Sequence, residues 1–163
     1  MHKPNNKQFG VGMVEVLVAL VVMSVGMLGI ASLYVTTLQA KTTSLSRMKA
    51  VNLAYDMADR IRANPTGGAA YELAISTVPT TPSPTCKTSN CDSTQMAAAD
   101  LYQWDALIRS NVTGLPGNVS RSITRTPRTT GPPATPEIFT ITLNWTEVNT
   151  SGSLSYALQV EVP

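Results

Sequence analysis

Three hydrophobic patterns succeed one another along the chain. Between Val16 and Ala40 no residue is charged, and apolar side chains would cover every side of a helix. Such a run is long enough to cross the ~30 Å hydrocarbon layer of a bilayer and predicts a membrane-spanning helix. The second pattern is amphipathic. Leu38, Leu45, Met48, Tyr55, Ala58 and Ile61 recur at roughly helical spacing among Lys41, Arg47, Lys49, Asp56, Asp59, Arg60 and Arg62, so the same helix should continue with one face against a globular partner. Asp56 with Arg60 and Asp59 with Arg62 stand at spacings that support a helix surface. Asn64-Pro65-Thr66-Gly67-Gly68 ends it, because proline disfavours helix in the residue before it. From Gly12 to Asn64 this is one helix of roughly 80 Å at 1.5 Å per residue.

The third pattern, over residues 65–163, is that of a small head. Residues 69–92 form a loop region carrying Pro79, Pro82, Pro84 and many threonines. Asp92-Ser93-Thr94-Gln95 has the form of a variant capping box, and Ala97, Leu101, Trp104 and Ile108 follow at helical spacing. This second helix should be short, with Trp104 in the core. Residues 119–125 form a weak strand candidate, and Pro127, Pro132, Pro133 and Pro136 keep the next stretch out of a sheet interior. Phe139, Ile141, Leu143 and Trp145 then alternate with polar residues, as do Leu154, Tyr156, Leu158, Val160 and Val162. Two half-buried strands joined through residues 149–152 are expected, with the amphipathic half of the long helix as their cover. The fold class is α+β: a long N-terminal helix packed on a small antiparallel sheet with a second short helix.

Charge and composition narrow the function. Lys and Arg number 12 against 10 acidic residues, and Lys3 and Lys7 account for the excess, so the chain from Val11 onward is formally neutral. Broad electrostatic capture of nucleic acid is not expected. Arg121, Arg125 and Arg128 make a basic cluster that reads as solvated surface on an edge strand and loop. The one histidine, His2, lies in the N-terminal tail, which removes histidine-based catalysis and the common histidine-containing zinc sites. The remaining acid–base candidates, Asp100, Asp105, Glu137 and Glu147, show no paired spacing and no nucleophile motif. No catalytic residue, metal site, cofactor or small-molecule substrate is assigned. Cys86 and Cys91, a close pair in a Thr/Ser/Pro-rich loop, read as a small disulfide ring in an oxidising compartment. A metal or redox site is the weaker alternative, lacking further ligands and the Cys-x-x-Cys spacing.

One residue breaks the apolar run at its head. Glu15 places a carboxylate where a bilayer-spanning helix begins, and an ionisable group costs roughly 2.5 to 3.5 kcal/mol at a bilayer centre, less near the interface. A general secretory signal also has a basic tail and an apolar core, but this run exceeds the usual ~7 to 15 residues and Glu15 sits where such a core should start. Paired with a cation from another chain in low dielectric, the carboxylate would set axial register. The bland alternative is a glutamate solvated at the bilayer surface or held by its own helix N-terminus.

A short basic leader ending in Gly10, an apolar Val11 and Glu15 four residues later resemble the processing site of class III signal sequences, the type IV prepilins. The runs VGMVEVLVALVVMSVGMLGIASL, AVNLAYDMADRIRAN and CKTSNCDSTQMAAADLYQWDALI are most similar to minor pilins of the PilV, or pilus modification protein, family. The resemblance implies cleavage after Gly10 by the prepilin peptidase, N-methylation of the new terminus at Val11, and Glu15 partnering a neighbouring subunit's terminal amine. Many pilins carry Phe and Thr where Val11 and Gly12 stand. It further implies residues 1–10 as leader, 11–40 as the transmembrane and assembly half of the helix, 41–64 as its amphipathic half and 65–163 as a periplasmic head.

The partners implied are the prepilin peptidase, other minor pilins, the major pilin and inner-membrane lipid. The protein would sit as a single-pass subunit in the bacterial inner membrane, N-terminus cytoplasmic, then enter a cell-surface pilus serving adhesion and twitching motility. The flanking positive charges do not set this orientation; the cysteine pair and the large exported C-terminal region do. A minor pseudopilin of a type II secretion system would share these features, and a membrane-anchored periplasmic binding module that does not polymerise is the alternative from another class.

Overall fold

The computed structural model describes residues 10, 12–75, 77–82, 85–110, 114–147 and 152–162. Helix α1 runs over Met13–Ala63, a 3₁₀ turn follows over Pro65–Tyr71, and α2 spans Ser93–Arg109. Three strands complete the chain: β1 (Ser120–Thr126), β2 (Glu137–Thr146) and β3 (Ser153–Val162). They form one antiparallel sheet in the order β1-β2-β3, giving the α+β class expected from the sequence. The chain divides into two compact units, one up to Lys41 and one from Thr42 onward.

In the first unit α1 is apolar on all sides and solvent-exposed throughout, its large apolar side chains ranging from 88% at Met13 to 49% at Val16. Its most apolar 18-residue window has a mean hydropathy of 2.5 and no residue buried within the structure. By length and composition it can cross a membrane.

The second unit holds the core. Ala50, Leu53, Ala54, Met57, Ala58 and Ile61 of α1 are buried with Ala97, Leu101, Trp104 and Ile108 of α2 and with Phe139, Ile141, Leu143 and Trp145 of β2. The buried face of α1 agrees only in part with the expected stripe: Ala58 and Ile61 are buried as expected. Leu45, Met48 and Tyr55 are exposed, whereas alanines and Leu53 turn inward. The buried face mixes the small Ala50, Ala54 and Ala58 with the large Leu53, Met57 and Ile61.

Helix α2 begins with a reciprocal capping box. Asp92 accepts from the Gln95 backbone N–H at 2.8 Å, and the Gln95 side chain accepts from the Asp92 N–H at 3.0 Å, which satisfies two amides the helix itself leaves unpaired. Trp104 is buried and donates its Nε1–H to the carbonyl of Leu53 in α1 at 2.7 Å. Between α2 and β1 the chain turns at Gly117, where φ is +67° and a Cβ would lie 2.5 Å from the carbonyl oxygen of Thr146. Only glycine fits there without strain.

Strand β1, weakly marked in the sequence, pairs with β2 from Ser120–Asn144 to Thr126–Ile138. The turn expected through residues 149–152 lies largely outside the described residues, which resume at Gly152.

Candidate processing and assembly site

The sequence-predicted residues fall into both units. Gly10 is exposed, and Val11 lies outside the described residues. Glu15 stands in the first turn of α1. Its backbone N–H donates to the Gly12 carbonyl at 3.0 Å, and Val16 N–H donates to the same oxygen at 3.3 Å, so the main chain is already committed where the helix starts. The side chain is exposed, and among the described residues its carboxylate has neither a hydrogen bond nor an ion pair. Next to it lies an uninterrupted apolar surface. A carboxylate in that position can accept an ammonium group from outside the chain, and low dielectric would strengthen the attraction.

In the second unit Cys86 and Cys91 are joined by a disulfide with Cα atoms 5.5 Å apart. Cys86 Sγ lies 3.7 Å from the carbonyl oxygen of Gln95. A bonded sulfur has no S–H to donate, so this is a packing contact that sets the ring against the first turn of α2.

Two polar networks hold the elements of this unit together. In the first, Asp100 of α2 accepts from Tyr71 Oη at 2.7 Å and from Arg60 Nη1 at 3.0 Å. Arg60 also donates to Asp56 at 3.0 Å, and Asn64 Nδ2 donates to Tyr71 Oη at 3.2 Å and to the Ser93 carbonyl at 2.7 Å. Burial raises the Tyr71 phenol above its ordinary pKa, and the bond to Asp100 adds to the effect while the Asn64 donor opposes it. For Arg60, burial alone would lower the pKa, but its bonds and attraction to Asp56 and Asp100 leave it raised.

In the second network Asp105 of α2 pairs with Arg121 of β1 and with Arg109 at 2.9 Å. Arg121 is buried, and its Nε has no hydrogen-bond partner among the described residues. Burial lowers its pKa, Asp105 works against that, and Arg109 adds a like charge.

These contacts correct the reading of the basic cluster as solvated surface. Arg121 is in the core, and Arg125 pairs with Glu137 and lies 3.8 Å from Glu72. The hydrogen bond to Glu137 raises the Arg125 pKa. Arg128 alone is exposed. The scattered carboxylates are engaged as well, with Glu147 accepting from Thr43 at 2.8 Å and from Trp145 Nε1 at 3.2 Å. Spacing identified Asp56–Arg60 as a pair, and Asp105–Arg109 has the same i,i+4 form, but Arg60 and Tyr71 reach Asp100, and Arg121 reaches Asp105, from distant elements, a relation no local pattern carries.

Two family matches bear on this arrangement. Residues 5–31 match the prokaryotic N-terminal methylation motif, a stretch that contains Gly10, Val11 and Glu15. Residues 32–102 match the family described as Type IV pilin Tt1218, a stretch that contains the disulfide and the start of α2. The class the two abutting matches support is a type IV pilin with a prepilin methylation motif, a structural rather than a catalytic kind of protein. No curated protein and no solved structure matches the chain.

Proposed function

We propose that this chain is a minor pilin of the type IV pilus, of the PilV or pilus modification kind. The observation that carries the reading is Glu15: an exposed carboxylate without a partner among the described residues, in the first turn of an apolar helix, inside a stretch that matches the methylation motif. In this reading residues 1–10 are a leader removed by the prepilin peptidase, and Val11 becomes the methylated N-terminus. Residues 11–40 wait in the inner membrane with the N-terminus cytoplasmic, and residues 41–64 join the periplasmic head of residues 65–163. Glu15 then docks on the terminal amine of a neighbouring pilin, setting its axial register as the helix leaves lipid for the fibre. Together with other minor pilins the subunit primes or modifies the fibre used in adhesion and twitching motility.

Mass spectrometry of the mature N-terminus tests the processing step. A chain beginning at Val11 supports it, and one beginning near Ser32 or left intact at Met1 overturns it. Deleting the gene tests the assignment of system, since loss of piliation supports the pilus and loss of exoprotein secretion supports a pseudopilus instead.

A further inference from the structure

The two edges of the sheet differ. On the β1 side, Ile123 exchanges both backbone hydrogen bonds with Leu73, at 2.9 and 3.0 Å, so that edge is bridged at its middle. On the other side β3 pairs with β2 alone, and its outer edge has no backbone partner among the described residues. Edges are ordinarily protected by proline, lysine, a bulge or a short strand. Ser153–Val162 has none of these: ten residues in unbroken register with β2, no proline, no lysine, and Glu161 as its one charge.

The inner face of the sheet is also unfinished there. Phe139, Ile141, Leu143 and Trp145 of β2 are at most 2% exposed, whereas Leu154, Tyr156 and Leu158 of β3 are only half-buried. Beside them a groove of about 450 Å³ opens between α1 and β3, lined by Arg47, Val51, Trp145, Leu154, Ser155 and Tyr156. Its floor is apolar. Arg47 at its rim has no ion pair or hydrogen bond among the described residues, and Tyr55, one turn beyond Val51, is 48% exposed.

From the unpaired edge, the half-covered inner face and the lone cation together, we propose that β3 accepts a fourth strand from another protein. The occupant is an extended segment of about six residues, antiparallel to β3, alternately apolar, with an acidic residue at its C-terminal end beside Arg47. Its backbone would take up the outward N–H and C=O groups of β3, while its apolar side chains would fill the groove under α1. This goes beyond the pilin reading and does not depend on Glu15.

The test uses the full chain in detergent micelles and an N-acetylated, C-amidated peptide, Thr-Val-Thr-Val-Thr-Val-Asp, followed by hydrogen exchange. The peptide should slow exchange of the outward amides of β3 at least tenfold. A version N-methylated at alternate positions on its pairing edge should give no protection. Arg47→Glu, an exposed substitution outside the core, should weaken binding at least fivefold and reverse the preference toward the same peptide ending in Lys. No protection, or equal protection by the N-methylated peptide, would overturn the proposal. So would protection of β3 that grows with protein concentration without peptide, since a second copy would then own the edge.

Discussion

The carboxylate of Asp105 in α2 meets the guanidinium of Arg121 in β1 with both side chains almost closed off from water, 6% and 4% exposed. Two opposite charges in such surroundings are costly to desolvate, and their joint contribution to stability is small. Their separation is another matter, because the survivor is left as an uncompensated buried charge.

Asp105→Ala should therefore destabilise the protein by about 3 to 5 kcal/mol, the range for breaking a buried pair. Replacing Asp105 and Arg121 together by Leu and Met should recover much of that loss. Denaturant titration of the single and double variants, read as a coupling energy, checks this. A loss in the double variant equal to the sum of the separate Asp105→Leu and Arg121→Met losses would show that the sites act independently.

Tyr71 gives the protein a limit at high pH. Its phenol is raised in the folded state and near its ordinary value of about 10 when unfolded, so the folded state holds the proton more tightly. The resulting stability is fully present below about pH 10 and is lost as pH rises from there through the folded-state value. Spectroscopic titration should show one tyrosine ionising later than the rest. Tyr71→Phe should remove that late step and cost about 1 to 2 kcal/mol at neutral pH, through the donor that Asp100 loses.

Reducing the Cys86–Cys91 ring should cost about 2 kcal/mol, the loop-entropy value for so small a ring. The effect should be local. Because the ring packs on Gln95, hydrogen exchange should quicken in the first turn of α2 and leave β2 unchanged; loss of protection across the sheet would contradict this.

Glu15→Gln keeps the shape of the side chain and removes its charge. In cells making pili, the variant should still lose its leader yet be depleted at least tenfold from sheared fibres, by immunoblot of the fibre and membrane fractions. Wild-type levels in the fibre would leave Glu15 a surface glutamate without a docking role.

The strand alternation of β2 and β3 and the heptad-like spacing of α2 were legible because one face of each element is buried and the other is not, which writes a period into the chain. The buried face of α1 was harder to read. Leu45, Met48 and Tyr55 carry hydrophobic signal yet are exposed, while Ala50, Ala54 and Ala58 are buried beside Leu53, Met57 and Ile61, and alanine contributes little to any hydrophobic pattern. The place of the arginines is likewise not written in their local sequence. Arg121 occupies an inward position of β1, and only Asp105, from a different element, makes that position tenable. At the N-terminus Glu15 stands out as a charge at the head of an apolar run, within the stretch that matches the methylation motif.

Trp104 fastens α2 to α1 through an oxygen of the main chain, the Leu53 carbonyl. Any residue placed at position 53 still supplies that oxygen. The hydrogen bond is thus independent of the side chain at position 53, whose burial in the core is a separate constraint, and wholly reliant on the single indole of Trp104, so its two ends tolerate mutation unequally.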